Sequence, residues 1–166
     1  MVVLGLVFSF GYEATAGDAG ARIGAGAHYW AYMDDIDIDN VDDDGFSYML
    51  SLQYDTGTLL KFEANLEIYP EGLTGTDENV YAPQAYVLLG GFIYAGLGVG
   101  IGYYDGNLAD DPFYVLRGGL DLELLPRIHL DINANYHFTD IGAIDDAIDN
   151  IDSDTLTIGG MVRIEL

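Results

Sequence analysis

The sequence has no cysteine, four prolines, one tryptophan and only five basic residues among 166. Without thiols there is no disulfide framework and no thiolate metal site. Five Lys and Arg set against 28 acids, for a formal charge of −23, exclude nucleic acid as a partner, because phosphate binding needs clustered cations. No run of about 20 apolar residues occurs, which excludes a transmembrane helix. Disorder is excluded by the opposite abundance: half of the residues are hydrophobic and 13 are Tyr. A mean hydropathy of +0.17 beside so large a net charge is unusual for a soluble protein. The length fits one domain.

Alternation of apolar and polar residues predicts eight strands, over 21–33, 45–55, 58–69, 81–90, 92–104, 113–124, 127–138 and 155–166. Residues 128–138, IHLDINANYHF, place Ile128, Leu130, Ile132, Ala134, Tyr136 and Phe138 on one face. His129, Asp131, Asn133, Asn135 and His137 take the other, since successive side chains of a strand point to opposite sides. Residues 60–68, LKFEANLEI, repeat the pattern. With no second apolar layer to cover these faces, they face lipid. The expected fold is all-β: an eight-stranded antiparallel up-and-down transmembrane β-barrel. A soluble ligand-binding barrel would need the reverse arrangement, with an apolar interior.

The connections alternate in length. Asp55-Thr56-Gly57, Gly90-Gly91 and Leu125-Pro126 are tight turns, whereas 34–44, 70–80, 105–112 and 139–154 are long. Short periplasmic turns and long extracellular loops are the expected arrangement. Tyr29, Trp30, Tyr32, Tyr69, Tyr81, Tyr103, Tyr104, Phe113, Tyr114, Tyr136 and Phe138 gather at the long-loop ends, where a membrane interface attracts aromatic rings.

The apolar run from Val2 to Phe10, followed by Ala14-Thr15-Ala16-Gly17, is expected to be a signal-peptide remnant. The competing expectation is a ninth strand, disfavoured because single-chain bacterial barrels have even strand numbers. The domain division is therefore 1–17 for that segment and 18–166 for the barrel.

The stretches YAPQAYVLLGGFIYAGLGVGIGYYDG and DDPFYVLRGGLDLELLPRIHLDINANYHF resemble small eight-stranded outer-membrane β-barrel proteins of Gram-negative bacteria, the porin-like or OmpA-like barrel class. The resemblance implies residence in the outer membrane, contact with its lipid, and insertion by the barrel-assembly machinery. It carries no functional residues.

The inward face is expected to hold Arg22, His28, Lys61, Glu63, Asn65, Glu67, Arg117, Asp121, Glu123, His129, Asp131, Asn133, Asn135, His137, Arg163 and Glu165. Buried charges must pair or be hydrated, so a salt-bridged plug is expected. A narrow acid-lined pore for small cations is the alternative. Gly96, Gly98, Gly100 and Gly102 share one face and leave room for side chains of facing strands, or for water.

The long loops hold nineteen of the 28 acids and no Lys or Arg. Asp35, Asp37, Asp39, Asp42, Asp43 and Asp44 are candidate weak ligands for Ca²⁺ or Mg²⁺. Asn40 at the turn-glycine position and Phe46 at the twelfth exclude a true EF-hand. No other cofactor is expected. A structural or surface-interaction role is expected rather than an enzyme: the single local pair, His137 with Asp140, lacks a nucleophile unless Ser153 folds back to it.

Overall fold

The computed structural model describes residues 19–31, 44–70, 79–109, 111–138 and 155–166. Ten strands are present among them: β1 Gly20–Ala31, β2 Asp44–Asp55, β3 Leu60–Tyr69, β4 Val80–Gly90, β5 Ile93–Gly100, β6 Tyr103–Tyr104, β7 Asn107–Leu108, β8 Phe113–Leu125, β9 Ile128–Phe138 and β10 Thr155–Glu165. Eight of them form a closed antiparallel ring in the order β1, β2, β3, β4, β5, β8, β9, β10. The first and last strands close it, in register from Arg22 opposite Glu165 to Ala31 opposite Leu156. The expected segment 1–17 and the long loop expected over 139–154 lie outside the described residues.

The alternation read from sequence becomes the two sides of the wall. Along β2, Phe46, Tyr48, Leu50, Leu52 and Tyr54 are exposed, whereas Ser47, Met49, Ser51, Gln53 and Asp55 are buried. Leu50 is 54% exposed and its neighbour Met49 is 1% exposed. The pattern is that of a membrane barrel, with large apolar side chains outside and polar groups inside.

The expected strand 92–104 is interrupted. Pairing with β8 ends at Gly100, and Tyr103–Tyr104 turns back onto Asn107–Leu108. Asp105 (φ 47) and Gly106 (φ 76) occupy the corner. Two consecutive positive φ angles define the tight hairpin turn that Asp-Gly favours. The loop expected over 105–112 therefore begins with a short hairpin standing on the end of β4, where Tyr81 pairs with Tyr103.

At the opposite end the turns are short. The Asp55 carboxylate accepts a bond from the Gly57 amide at 2.9 Å. Pro126 and Arg127 (φ 70) connect β8 to β9, with a bulge between Glu123 and Leu125.

Inward glycines lie directly across from large inward residues. Tyr86 is in register with Gly98, Tyr94 with Gly119, and His28 with Gly159. A Cβ on Gly98 would collide with the Tyr86 ring, and one on Gly119 would lie 2.6 Å from Cζ of Tyr94. Leu88 occupies the space over Gly96, and Phe113 with Gln84 the space over Gly100. The glycine stripe is thus filled by side chains from the neighbouring strands. Gly102 is the exception, with nothing nearer than Ala109 Cβ at 3.6 Å.

Gly98→Ala should lower the urea midpoint of the refolded barrel by an amount equivalent to about 1–3 kcal/mol, the cost of overpacking. In a Tyr86→Ala background the same substitution should cost less, and a fully additive pair would show that the ring is not seated on that glycine.

Candidate functional site in the barrel interior

An eight-stranded barrel encloses a lumen just wide enough for side chains to fill. Here the filling is three tiers of ion pairs and hydrogen bonds that cross the lumen.

The tier nearest the short turns centres on Asp121 of β8. Its Oδ2 accepts bonds from Arg22 Nη1 of β1 at 2.9 Å and from Lys61 Nζ of β3 at 2.8 Å. His129 stands between Asp121 and Glu165, with a ring nitrogen 3.0 Å from each. Glu165 also accepts from Arg22 Nη2 at 3.0 Å. Lys61 lies 3.9 Å from Asp55.

Glu63 of β3 organises the middle tier. Arg117 Nη1 from β8 donates to one carboxylate oxygen at 2.8 Å, and Arg163 Nη2 from β10 donates to the other at 2.7 Å. Arg163 also reaches Asp131 at 2.6 Å, and that carboxylate takes the Tyr94 hydroxyl at 2.7 Å. The Arg117 guanidinium lies 3.9 Å above the centre of the Tyr86 ring. Arg117, Arg163, Glu63 and Asp131 all have side chains fully removed from solvent.

Glu67 anchors the third tier, toward the long loops. It accepts from Ser47 at 2.5 Å and Gln84 at 2.8 Å, and stands 3.0 Å from His28 Nδ1. His28 Nε2 meets Asn133 at 2.8 Å. Tyr86, Leu88, Tyr94 and Val115, with Phe113 packed against them, form an apolar cluster inside the barrel, with Tyr86 in register with Glu63 and Leu88 with Lys61.

Thirteen of the sixteen residues expected inside are buried, and His137 and Glu165 are half-buried. Arg22, Lys61, Glu63, Glu67, Arg117, Asp121 and Arg163 are all buried. Glu123 is not: it is exposed at the rim, where the adjacent bulge ends the regular pairing of β8. The Glu165 side chain is 38% exposed at the same mouth. Two aromatics expected at the interface, Tyr69 and Phe113, lie on the inward parity of their strands, Phe113 against the internal cluster.

Several interior partners escaped the sequence reading. Ser47, Gln53 and Asp55 were legible from the clean alternation of β2. Gln84, Tyr86 and Leu88 were not, because β4 (VYAPQAYVLLG) is apolar on both faces. Of the candidate divalent ligands, Asp35, Asp37, Asp39, Asp42 and Asp43 lie outside the described residues, and Asp44 opens β2 opposite Ala31. Asp140 and Ser153 also lie outside. Among the described residues, no group of three or more His, Asp or Glu is arranged to hold a metal ion.

Glu63→Gln should strip both guanidiniums of their shared counter-charge and cost about 3–5 kcal/mol, the usual price of leaving a buried charge unpaired. Asp55→Asn should cost much less, because Lys61 keeps Asp121. Urea unfolding in lipid vesicles checks both, and equal losses would show that the middle tier has no special weight.

No protein-family model matches the sequence, and no curated protein matches it. Solved structures do. Neisserial surface protein A superposes with a TM-score of 0.57 at 13% identity, covering 90% of this chain and 100% of that one. The N-terminal β-barrel domain of Pseudomonas aeruginosa OprF gives 0.51 at 11% identity, over 90% of this chain and 100% of that one. The de novo designed TMB2.3 gives 0.50 at 13%, over 89% and 95%. The closed ring, the lipid-type exterior and these superpositions together assign the chain the fold of the small eight-stranded outer-membrane β-barrels.

Proposed function

We propose that the chain resides in a bacterial outer membrane as a non-conducting, non-catalytic barrel with a structural or surface-interaction role. The observation that carries this reading is Glu63, gripped by Arg117 and Arg163. Each guanidinium comes from a strand three places away around a ring of eight, so the bridge crosses the lumen instead of lining it. Arg22 to Asp121 and Lys61 to Asp121 make the same crossing nearer the turns. An ion would have to displace paired, desolvated charges at both levels.

In this proposal the outward apolar belt meets outer-membrane lipid, and the barrel-assembly machinery inserts the chain. The long acidic loops are the interacting surface. They present an anionic field that repels anionic partners and attracts cations, weakly binding Ca²⁺ or Mg²⁺ through the Asp35–Asp44 run. One structural neighbour is named a surface protein, which agrees with that role. Calorimetric titration of Ca²⁺ should give dissociation constants near the millimolar range, weakened further when Asp35, Asp37 and Asp39 are changed to Asn.

The alternative, a cation pore, draws on the interior surplus of carboxylates: Asp55, Glu63, Glu67, Asp121, Asp131 and Glu165 outnumber Arg22, Lys61, Arg117 and Arg163. Planar-bilayer recording decides between them. The refolded protein, its fold verified by a heat-dependent gel shift, should be silent. The Glu63→Ala/Arg117→Ala/Arg163→Ala variant should show current steps. Discrete cation-selective steps from the unmodified barrel would establish the pore and end the plug reading.

A further inference from the structure

Between the middle and upper tiers, the wall made by β2 and β3 carries buried polar atoms that bond to nothing among the described residues. Asn65 is 5% exposed, and neither its Oδ1 nor its Nδ2 has a partner. Ser51 Oγ, directly across from Asn65 in the β2–β3 register, has none either. One step toward the turns, Gln53 donates to Glu63 through Nε2 and leaves Oε1 unbonded. Arg117 holds Glu63 through Nη1 and Asn135 through Nε, and leaves Nη2 unbonded. Arg163, the other arm of the same Glu63 tier, also keeps its Nε without a partner. The unmet donors and acceptors gather at and beside the Glu63 tier, although buried polar groups in folded proteins nearly always find partners.

We infer that this stretch of the β2–β3 wall is a binding site for internal water, bridging Asn65 and Ser51 to the Glu63–Arg117 tier. The atoms decide the ligand. Arg117 Nη2 and Asn65 Nδ2 can only donate, Gln53 Oε1 and Asn65 Oδ1 can only accept, and the Ser51 hydroxyl does either. Water meets both kinds. A cation held by the three oxygens would face the Arg117 guanidinium, and an anion held by the donors would sit against the Glu63 carboxylate. The shapes agree with the chemistry. Ser51 and Asn65 are short, and their same-face neighbours Met49, Gln53, Glu63 and Glu67 are longer, so the row between the tiers is recessed. A bound water needs two to four polar partners, and the wall supplies that number. The site joins the Glu63 network to the Glu67 network, which no direct bond between Asn65 and either carboxylate does. It is independent of the conductance question: a sealed barrel traps the same water that a pore would exchange.

The test uses the full chain refolded in nanodiscs, with its side-chain amides assigned by NMR. Asn65 Nδ2 should show cross-relaxation with a water resident far longer than surface hydration, and Ser51→Ala should weaken it. Absence of that contact, with the Asn65 amide visible, would overturn the site. The Ser51→Ala/Asn65→Leu variant supplies a second readout through its sign. If water bridges the wall, the change strands Gln53 Oε1 and Arg117 Nη2, and the urea midpoint falls. If the wall is dry, the change removes unmet polar groups, and a raised midpoint would also overturn the inference.

Discussion

A sheet that faces hydrocarbon has no water to satisfy an unpaired backbone edge, and the architecture follows from that constraint. It forces β1 to find β10 and close the ring. Closure with eight strands sets a lumen of fixed and small radius. The lumen must then be packed by the inward residues alone, and the opposition of glycines to large residues is the local solution. Tyr86 lies over Gly98, Tyr94 over Gly119 and His28 over Gly159, so the bulk of one strand fits the gap left by the next. The polarity of the interior is a consequence of the same inversion: once the apolar faces are committed to lipid, the charges have nowhere else to go.

Charges in that position are tolerated only as a neutralised set. A buried pair such as Arg117–Glu63 contributes little net stability against an apolar substitute, because desolvation offsets most of the attraction. Its value lies in specifying register. A slip of one residue in β3 would turn Lys61, Glu63 and Glu67 toward lipid and bring Phe62, Leu66 and Ile68 inside. The slipped form would lose every cross-lumen bond that β3 makes and expose three charges to hydrocarbon. The interior network thus penalises misregistered barrels far more than it rewards the correct one.

The sequence shows which residues face inward wherever one face is polar throughout, as in β3 and β9. It fails where both faces are apolar, as in β4, so the internal cluster of Tyr86, Leu88, Tyr94 and Val115 was not foreseen. Asp105-Gly106 carried a hairpin signal, but placed inside a longer loop it was read as part of that loop. Glu123 keeps inward parity and still reaches solvent, because a bulge and the nearby rim override alternation. The pairing pattern itself was illegible. That Glu63 takes Arg117 and Arg163, and Asp121 takes Arg22 and Lys61, depends on the stagger of the strands and the curvature of the ring. Alternation determines the side of the wall and says nothing about which residues meet across the lumen.

The same geometry orders events in folding. Arg22 and Asp121 are 99 residues apart, Arg163 and Glu63 are 100, and Arg22 and Glu165 are 143. None of these bonds can form until strands far apart in the chain have been brought together, and the entropy of that loop closure is lost beforehand. The interior network therefore cannot direct the early pairing of strands. Local features must do so: the Asp55-Gly57 turn, the Pro126-Arg127 corner and the alternation that holds each hairpin in phase with its neighbour. Closure of β1 on β10 then brings the charges within reach of one another, and the network fixes a register that the hairpins had already selected. Stability against slippage accordingly resides in the centre of the barrel, whereas the choice of topology resides in its turns.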